Sequence, residues 1–336
     1  MNHPQDIKTL GRYKILSRLG EGGMAVVYKA TDTFLKRTVA LKVAQVSSLD
    51  LASPESITMD RCLKEAQLAA QFIHPNIVIT HDAGIEGDFF YIALEYVGGS
   101  GLETHRRKGS LLPPDQVLEI IYSICYALDY IHQEGYVHLD VKPSNIMLSE
   151  RGEAKLMDFG ISRILKEEPK KGAKIAGTPY YMSPEQSDPD STVDYRTDIF
   201  SLGVVSYELL SGKRPFEGKT HSEILAKIAG SDPVALSQYN PDISPDLELI
   251  INKTMSKERS DRFNTAREFA DALLPVIKGK DSRSLDKQDE KKIAYLKRLP
   301  LFRHFQHSDL MDVIKISSWS FYDKDSWIIK NDDSDN

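Results

Sequence analysis

The stretch His138-Leu139-Asp140-Val141-Lys142-Pro143-Ser144-Asn145 constrains this chain more than any other. Within six positions it sets a carboxylate, a cation and a carboxamide, bounded by apolar runs. That is the material of a phosphoryl-transfer site. A carboxylate at Asp140 can orient a hydroxyl nucleophile and accept its proton, which makes it the candidate base. Lys142 can steady charge on a γ-phosphate, and Asn145 can offer an oxygen to Mg²⁺. Farther on, Asp158-Phe159-Gly160 follows the apolar pair Leu156-Met157, so a second metal-binding carboxylate leaves a short strand at a turn that glycine permits. His138 taken alone reads as a structural histidine.

The pattern HxDxKPxN followed by DFG resembles the catalytic and metal-binding loops of the eukaryotic-type (Hanks-type) bacterial serine/threonine protein kinases. The resemblance implies an α+β, bilobed fold, with a small antiparallel β lobe carrying one helix over residues 1–96. A larger, mainly helical lobe would occupy residues 97–274. It implies ATP with Mg²⁺ or Mn²⁺, the metal held by Asn145 and Asp158, and a protein substrate bearing Ser or Thr.

Along the chain, Tyr13 to Leu19 and Ala25 to Thr31 read as a hairpin tipped by Gly20-Glu21-Gly22-Gly23-Met24. Glycines there let backbone N–H groups approach a phosphate, and Ala25 stands where the family has its third glycine. A third strand, Thr38 to Ala44, carries Lys42 among apolar residues, and a buried lysine needs a partner. Glu65, on a helix from about residue 60 to 72, has the spacing of the family's partner glutamate. Lys42 would then hold the α/β-phosphates. Strands at Ile77 to Asp82 and Phe89 to Glu95 complete a five-stranded lobe. By resemblance Glu95 to Val97 meet the adenine and Leu94 limits the back pocket. Leu19, Gly20, Gly22, Gly23, Val27 and Ala40 join them at the nucleotide.

Val117, Ile120, Ile121, Ile124, Leu128 and Ile131 recur at helical spacing until Gly135 stops them. Tyr195 to Ser211 is apolar nearly all round and predicts a buried hub helix, with Asp198 near its start needing compensation. The resemblance implies that Asp198 bonds the catalytic-loop backbone. It also implies that Gly177 to Glu185 is the substrate-docking end of an activation segment, with Thr178 facing Lys142, and that Glu185 pairs with Arg262. Leu139 stands where many kinases carry an arginine that grips a loop phosphate, and Ser162 is the one hydroxyl between Ile161 and Ala176. Phosphorylation of that loop is therefore not expected to be needed.

The helical pattern ends near Leu274, and residues 275–292 read as a charged linker. Residues 293–336 contain a leucine-rich stretch, Leu299-Pro300-Leu301-Phe302, a second helix opening at Ser308 and a strand at Ser326 to Lys330. That order resembles the opening of a cyclic nucleotide-binding domain, cut before its phosphate-holding cassette. Phe302, Phe305, Trp319 and Trp327 are then expected to pack on the kinase lobe or a second chain, giving an intramolecular contact or a homodimer, or to stay mobile. The alternative is a C-terminal docking or dimerisation helix pair.

At 336 residues the chain can bury real cores without disulfides, and Cys62 and Cys125, both in apolar helical patterns, read as free buried thiols. There is no secretory leader pattern and no apolar run near 18 residues, so a cytoplasmic protein without a membrane span is expected. A net charge of −6 with both signs interspersed gives no reason to expect nucleic acid. The leading reading is a serine/threonine protein kinase. The competing class, a pseudokinase-like ATP-binding scaffold, is marked by loss of Lys42, Asp140, Asn145 or Asp158, and all four are present.

Overall fold

Alternating burial in β3 and most of β4 builds the centre of the first sheet. In a computed structural model, β1 (Thr9–Leu10), β2 (Tyr13–Gly22), β3 (Ala25–Asp32), β4 (Arg37–Gln45), β5 (Thr80–Glu86) and β6 (Phe89–Glu95) pair antiparallel in the order β1-β2-β3-β4-β6-β5. The described residues are 7–22, 25–46, 66–107, 109–158, 163–164, 179–188 and 190–278, with 292–293, 295–297, 299, 302, 310 and 313–314 beyond them. Every second residue of β3, Val26, Tyr28 and Ala30, is buried with Val39, Leu41 and Val43 of β4 on one face. The other face carries the small cluster of Ala44, Ala66, Phe90 and Ile92. Register puts Gly20 opposite Val27, Val27 opposite Lys42, and Ala40 opposite Leu94. These five residues therefore share the second face, because side chains on paired positions point the same way.

Two expectations change here. The sheet has six strands, since Thr9–Leu10 adds an edge pair to Lys14 and Tyr13; a two-residue strand is too short to leave a periodic signal. The run expected from Ile77 begins as a strand only at Thr80. Ile77 and Val78 bond elsewhere: Val78 N–H donates to Leu156 O at 2.9 Å and Leu156 N–H to Asn76 O at 2.8 Å.

The second layer is helical, with α1 (Pro114–Gln133), α2 (Pro184–Ser187), α3 (Arg196–Ser211), α4 (His221–Gly230), α5 (Pro245–Thr254) and α6 (Ala266–Lys278). Gly135, at φ 84°, takes the left-handed turn that follows α1. All residues of α3 from Thr197 to Leu210 are buried, as an apolar helix at the centre of a lobe must be. At Gly203 a Cβ would stand 2.7 Å from the Thr254 Cβ, so glycine permits α3 and α5 their close approach. Between α1 and α2 run the short strands β8 (Tyr136–Val137), β9 (Ile146–Ser149), β10 (Ala154–Leu156) and β11 (Arg163–Ile164), while β7 (Gly99–Gly101) precedes α1 and pairs with β9. Helix α6 continues through Pro275 rather than ending near Leu274, because Val276 and Ile277 extend its packing stripe against the core while Pro275 itself stays partly open to solvent.

Residues 1–277 form one compact unit and 278–336 a second. In the second, Ile293, Leu296, Leu310 and Ile314 bury one another, and Phe302 packs against them, a local partner absent from the expectation above. Phe305, Trp319 and Trp327 lie outside the described residues. Cys125 is a buried free thiol, and Cys62 lies outside the description. No described helix is long and apolar enough to cross a membrane.

Candidate active site

Asp140 sits just beyond β8, on a loop whose backbone is clamped from below. The wholly buried Asp198 of α3 accepts from His138 N–H and Leu139 N–H, both at 2.8 Å, and meets His132 Nε2 at 2.8 Å. Three donors around one carboxylate answer the burial of its charge. The His138 ring, also fully buried, bridges Met157 O at 3.2 Å and Asp140 N–H at 3.3 Å. It is the structural histidine expected from the sequence.

The Asp140 carboxylate is gripped by its own loop. Lys142 Nζ stands 2.6 Å from Oδ2, and Asn145 Nδ2 donates to Oδ2 and to the Asp140 carbonyl, each at 2.9 Å. With its nitrogen turned to Asp140, the Asn145 carboxamide has its oxygen left for another task. Met157 N–H donates to Asn145 O at 2.9 Å, which brings Asp158 beside this loop. Asp158 itself has φ 68°, a conformation that an L-residue keeps only when its surroundings impose it. A carboxamide and a carboxylate flanking Asp140 are hard oxygen donors, the kind that suits Mg²⁺, so the residues fit a divalent metal.

Lys42 reaches down from the sheet, its Nζ 2.9 Å from Asp158 Oδ1, with both side chains about one-third exposed. Glu65, the partner expected for Lys42, lies outside the described residues, as do Thr178 and Gly23. Leu19 falls at the β2 irregularity between Arg18 and Gly20 and is 47% exposed. Gly22 is the last residue of β2, and Val97 lies half-buried in the connection from β6 to β7. Over that connection Lys29 covers the Tyr96 ring, its Nζ 4.4 Å from the centroid. Glu95 is engaged already: its N–H donates to Ile79 O at 2.8 Å, and its carboxylate takes Lys155 at 2.9 Å and Ile79 N–H at 3.3 Å. Both the Glu95 N–H and its carboxylate are thus engaged within the protein.

Below the loop, Glu185 and Arg262 form the expected pair, two parallel bonds of 2.7 and 2.9 Å, both residues buried. Burial acts to raise the Glu185 carboxyl, but Arg262's hydrogen bonds and charge, with the Thr197 hydroxyl at 2.7 Å, hold it below its ordinary range. Sequence reading missed several supports. His132, on α1, completes the Asp198 cluster, and Lys155 ties Glu95 to β10; long-range side-chain partners leave no local pattern. Gln186 was also missed, though its place three residues after Ser183 is a capping-box signal.

A lysine projecting from a small twisted sheet toward paired loop carboxylates on a helical lobe defines a phosphotransferase site of the bilobed kinase type. Residues 13–273 match the protein kinase domain model, and the chain belongs to that family. It is 40% identical over 274 residues to serine/threonine-protein kinase PknB of Mycobacterium leprae, covering 80% of this chain and 43% of that protein. PknB of Mycolicibacterium smegmatis is 38% identical over 286 residues, 83% of this chain and 45% of that protein. A probable serine/threonine-protein kinase of Streptomyces coelicolor is 39% identical over 268 residues, 77% and 39% respectively. The chain thus spans less than half the length of these relatives.

Proposed function

We propose that this chain transfers the γ-phosphate of ATP to serine and threonine hydroxyls of proteins. The observation that carries the reading is the Asp140 carboxylate fixed by Lys142 and Asn145, with Lys42 and Asp158 joined across from it. Asp140 accepts a hydrogen bond from the substrate hydroxyl, aims its oxygen and receives its proton as the new P–O bond forms and the bond from the γ-phosphorus to the bridging oxygen breaks, releasing ADP. Lys142 keeps its charge beside that oxygen. Lys42, on the face shared with Gly20, Val27, Ala40 and Leu94, holds the non-transferred phosphates, and the glycine-rich tip offers N–H groups from above. Glu65 is assigned to orient Lys42, and Thr178 to the acceptor side near Lys142. Asn145 and Asp158 would hold Mg²⁺, whose charge would offset that of the phosphates. The names of the relatives support serine/threonine specificity. A pseudokinase scaffold is not favoured, since every one of the four polar groups it would have lost is in place.

In the same reading the protein acts in the cytoplasm, and residues 293–336 are the opening of a cyclic nucleotide-binding fold. The mutual burial of Ile293, Leu296, Leu310 and Ile314 supports paired helices there.

The test is transfer of labelled phosphate to a basic protein by the full chain and by Asp140→Asn. The variant is expected to lose at least about a thousandfold in kcat, with ATP affinity changed less than about threefold, because Asp140 acts on the nucleophile. Equal rates would refute the assignment.

A further inference from the structure

Leu139, immediately before the candidate base, has φ 66°. The left-handed region costs an L-residue about 1–2 kcal/mol, so neighbours must enforce it. Its two peptide groups are held from two different elements. The N–H donates to Asp198 Oδ1 of α3 at 2.8 Å. The C=O, which shares a peptide plane with the Asp140 N–H, accepts from Gln186 Nε2 of α2 at 3.0 Å.

Gln186 has a second engagement. Its Oε1 accepts from Ser183 N–H at 3.0 Å, while its own N–H donates to Ser183 Oγ at 3.3 Å, completing the box that starts α2. One planar carboxamide therefore places its oxygen on the segment at Ser183 and its nitrogen on the loop at Leu139. Ser183 is fully buried, and its hydroxyl reaches Thr197 Oγ1 at 3.4 Å, within the Glu185–Arg262 cluster. Displacing the segment moves a rigid amide whose other end fixes the plane of the Leu139–Asp140 peptide.

We infer that Gln186 is a positioning residue that couples the seating of the segment at 179–183 to the aim of the Asp140 carboxylate, an inference that rests on the phosphotransfer reading above. Leu139 offers no polar side chain for that coupling, so the backbone carbonyl carries it.

The chemistry of the amide supplies a discriminating substitution, Gln186→Glu. The introduced carboxylate keeps an acceptor for Ser183 N–H, and glutamate is a favoured partner of a serine N-cap. It cannot donate when ionised, and it sets an anionic oxygen against the Leu139 carbonyl. Gln186→Glu in the full chain is expected to melt within about 2 °C of the parent and to bind ATP with unchanged affinity. Its kcat toward a basic peptide carrying one threonine should fall about tenfold or more, with peptide KM changed less than about threefold. The deficit should narrow from pH 8 to pH 6, as protonation of the introduced carboxyl, raised by the facing carbonyl, restores the donor. A parent chain that transfers no phosphate would refute the phosphotransfer reading itself. With an active parent, unchanged kcat in Gln186→Glu overturns the coupling, as does a loss of kcat accompanied by a fall of more than about 5 °C in melting temperature.

Discussion

Arg262→Met probes the most deeply buried charge pair in the large lobe. The guanidinium makes five hydrogen bonds: to Glu185 Oε1 at 2.7 Å, Glu185 Oε2 at 2.9 Å, and the carbonyls of Ser256 (2.8 Å), Lys257 (3.1 Å) and Arg196 (3.2 Å). Methionine fills much of the space but leaves Glu185 charged at 6% exposure and frees three carbonyls. Stranding one member of a buried pair costs about 3–5 kcal/mol, a large part of the roughly 5–15 kcal/mol that holds a domain folded. The pH dependence fixes the cause. In the parent the Glu185 carboxyl is held below its ordinary range, so its contribution is complete above the unfolded pKa and is lost as pH falls through the folded one. In the variant, burial without Arg262 raises the carboxyl, so the folded state regains stability as pH falls and the proton neutralises the stranded charge. The stability gap, measured by urea unfolding, should therefore be widest near about pH 7.5 and narrow toward about pH 5. Adding Glu185→Gln to Arg262→Met should recover about 2 kcal/mol or more of the loss. A gap that is the same at both pH values and is untouched by Glu185→Gln would show that packing, not the stranded charge, sets the cost.

Other outcomes follow from the same geometry. Asp158→Asn removes a carboxylate from the proposed metal position, so calorimetry should show ATP affinity no longer increased by Mg²⁺. Asp198→Asn puts an amide among the donors of His132, His138 and Leu139, and is expected to cost about 1–3 kcal/mol in unfolding assays and to lower kcat with it. Lys257 has no hydrogen-bond partner for its ammonium among the described residues and lies 4.0 Å from the Phe216 centroid. Burial pushes its ammonium down to about 8, opposed by Asp232 and assisted by Arg262. The unfolded chain then binds more protons above that value, so stability attributable to Lys257 rises as pH climbs from about 8 toward its ordinary value. Lys257→Met should abolish that slope in melting curves and raise the melting temperature at pH 7 by about 2–4 °C. Phosphatase treatment of active protein should leave the rate unchanged, with no phosphosite required between Ile161 and Ala176, because Leu139 cannot grip a phosphate.

Features written in local residue order were legible. Short β-prone runs marked β3 and β4, helical spacing marked α1, and the all-round apolar character of α3 predicted its burial. Asp140, Lys142 and Asn145 are neighbours in sequence, so their convergence followed from one short loop. The role of Ile77 and Val78 was not legible: an apolar β-prone run looks the same whether its backbone bonds to β6 or to β10. The extension of α6 past Pro275 was hidden as well, since proline argues locally for a stop while Val276 and Ile277 argue through distant packing. The Lys42–Asp158 contact joins positions 116 apart, beyond the reach of periodicity.

The bonds of Asn76 and Val78 to Leu156 have a mechanical meaning. The chain passes from the small lobe to the large one after Glu95, and beside that passage residues 76–78 bond to Leu156 of β10. The passage and the contact are laced together, because Ile79 exchanges hydrogen bonds with Glu95, and Lys155, next to Leu156, holds the Glu95 carboxylate. Two separate tethers would fix an axis across the width of the cleft and allow the sheet to swing like a door. A single laced seam acts instead as a short stiff pivot at one edge. A given rotation then moves Gly20 of β2, three strands away in the sheet, much farther than Leu94, which sits beside the seam. On the proposed reading of the site, opening the cleft would admit the phosphate end of a nucleotide with little disturbance to the wall behind its base.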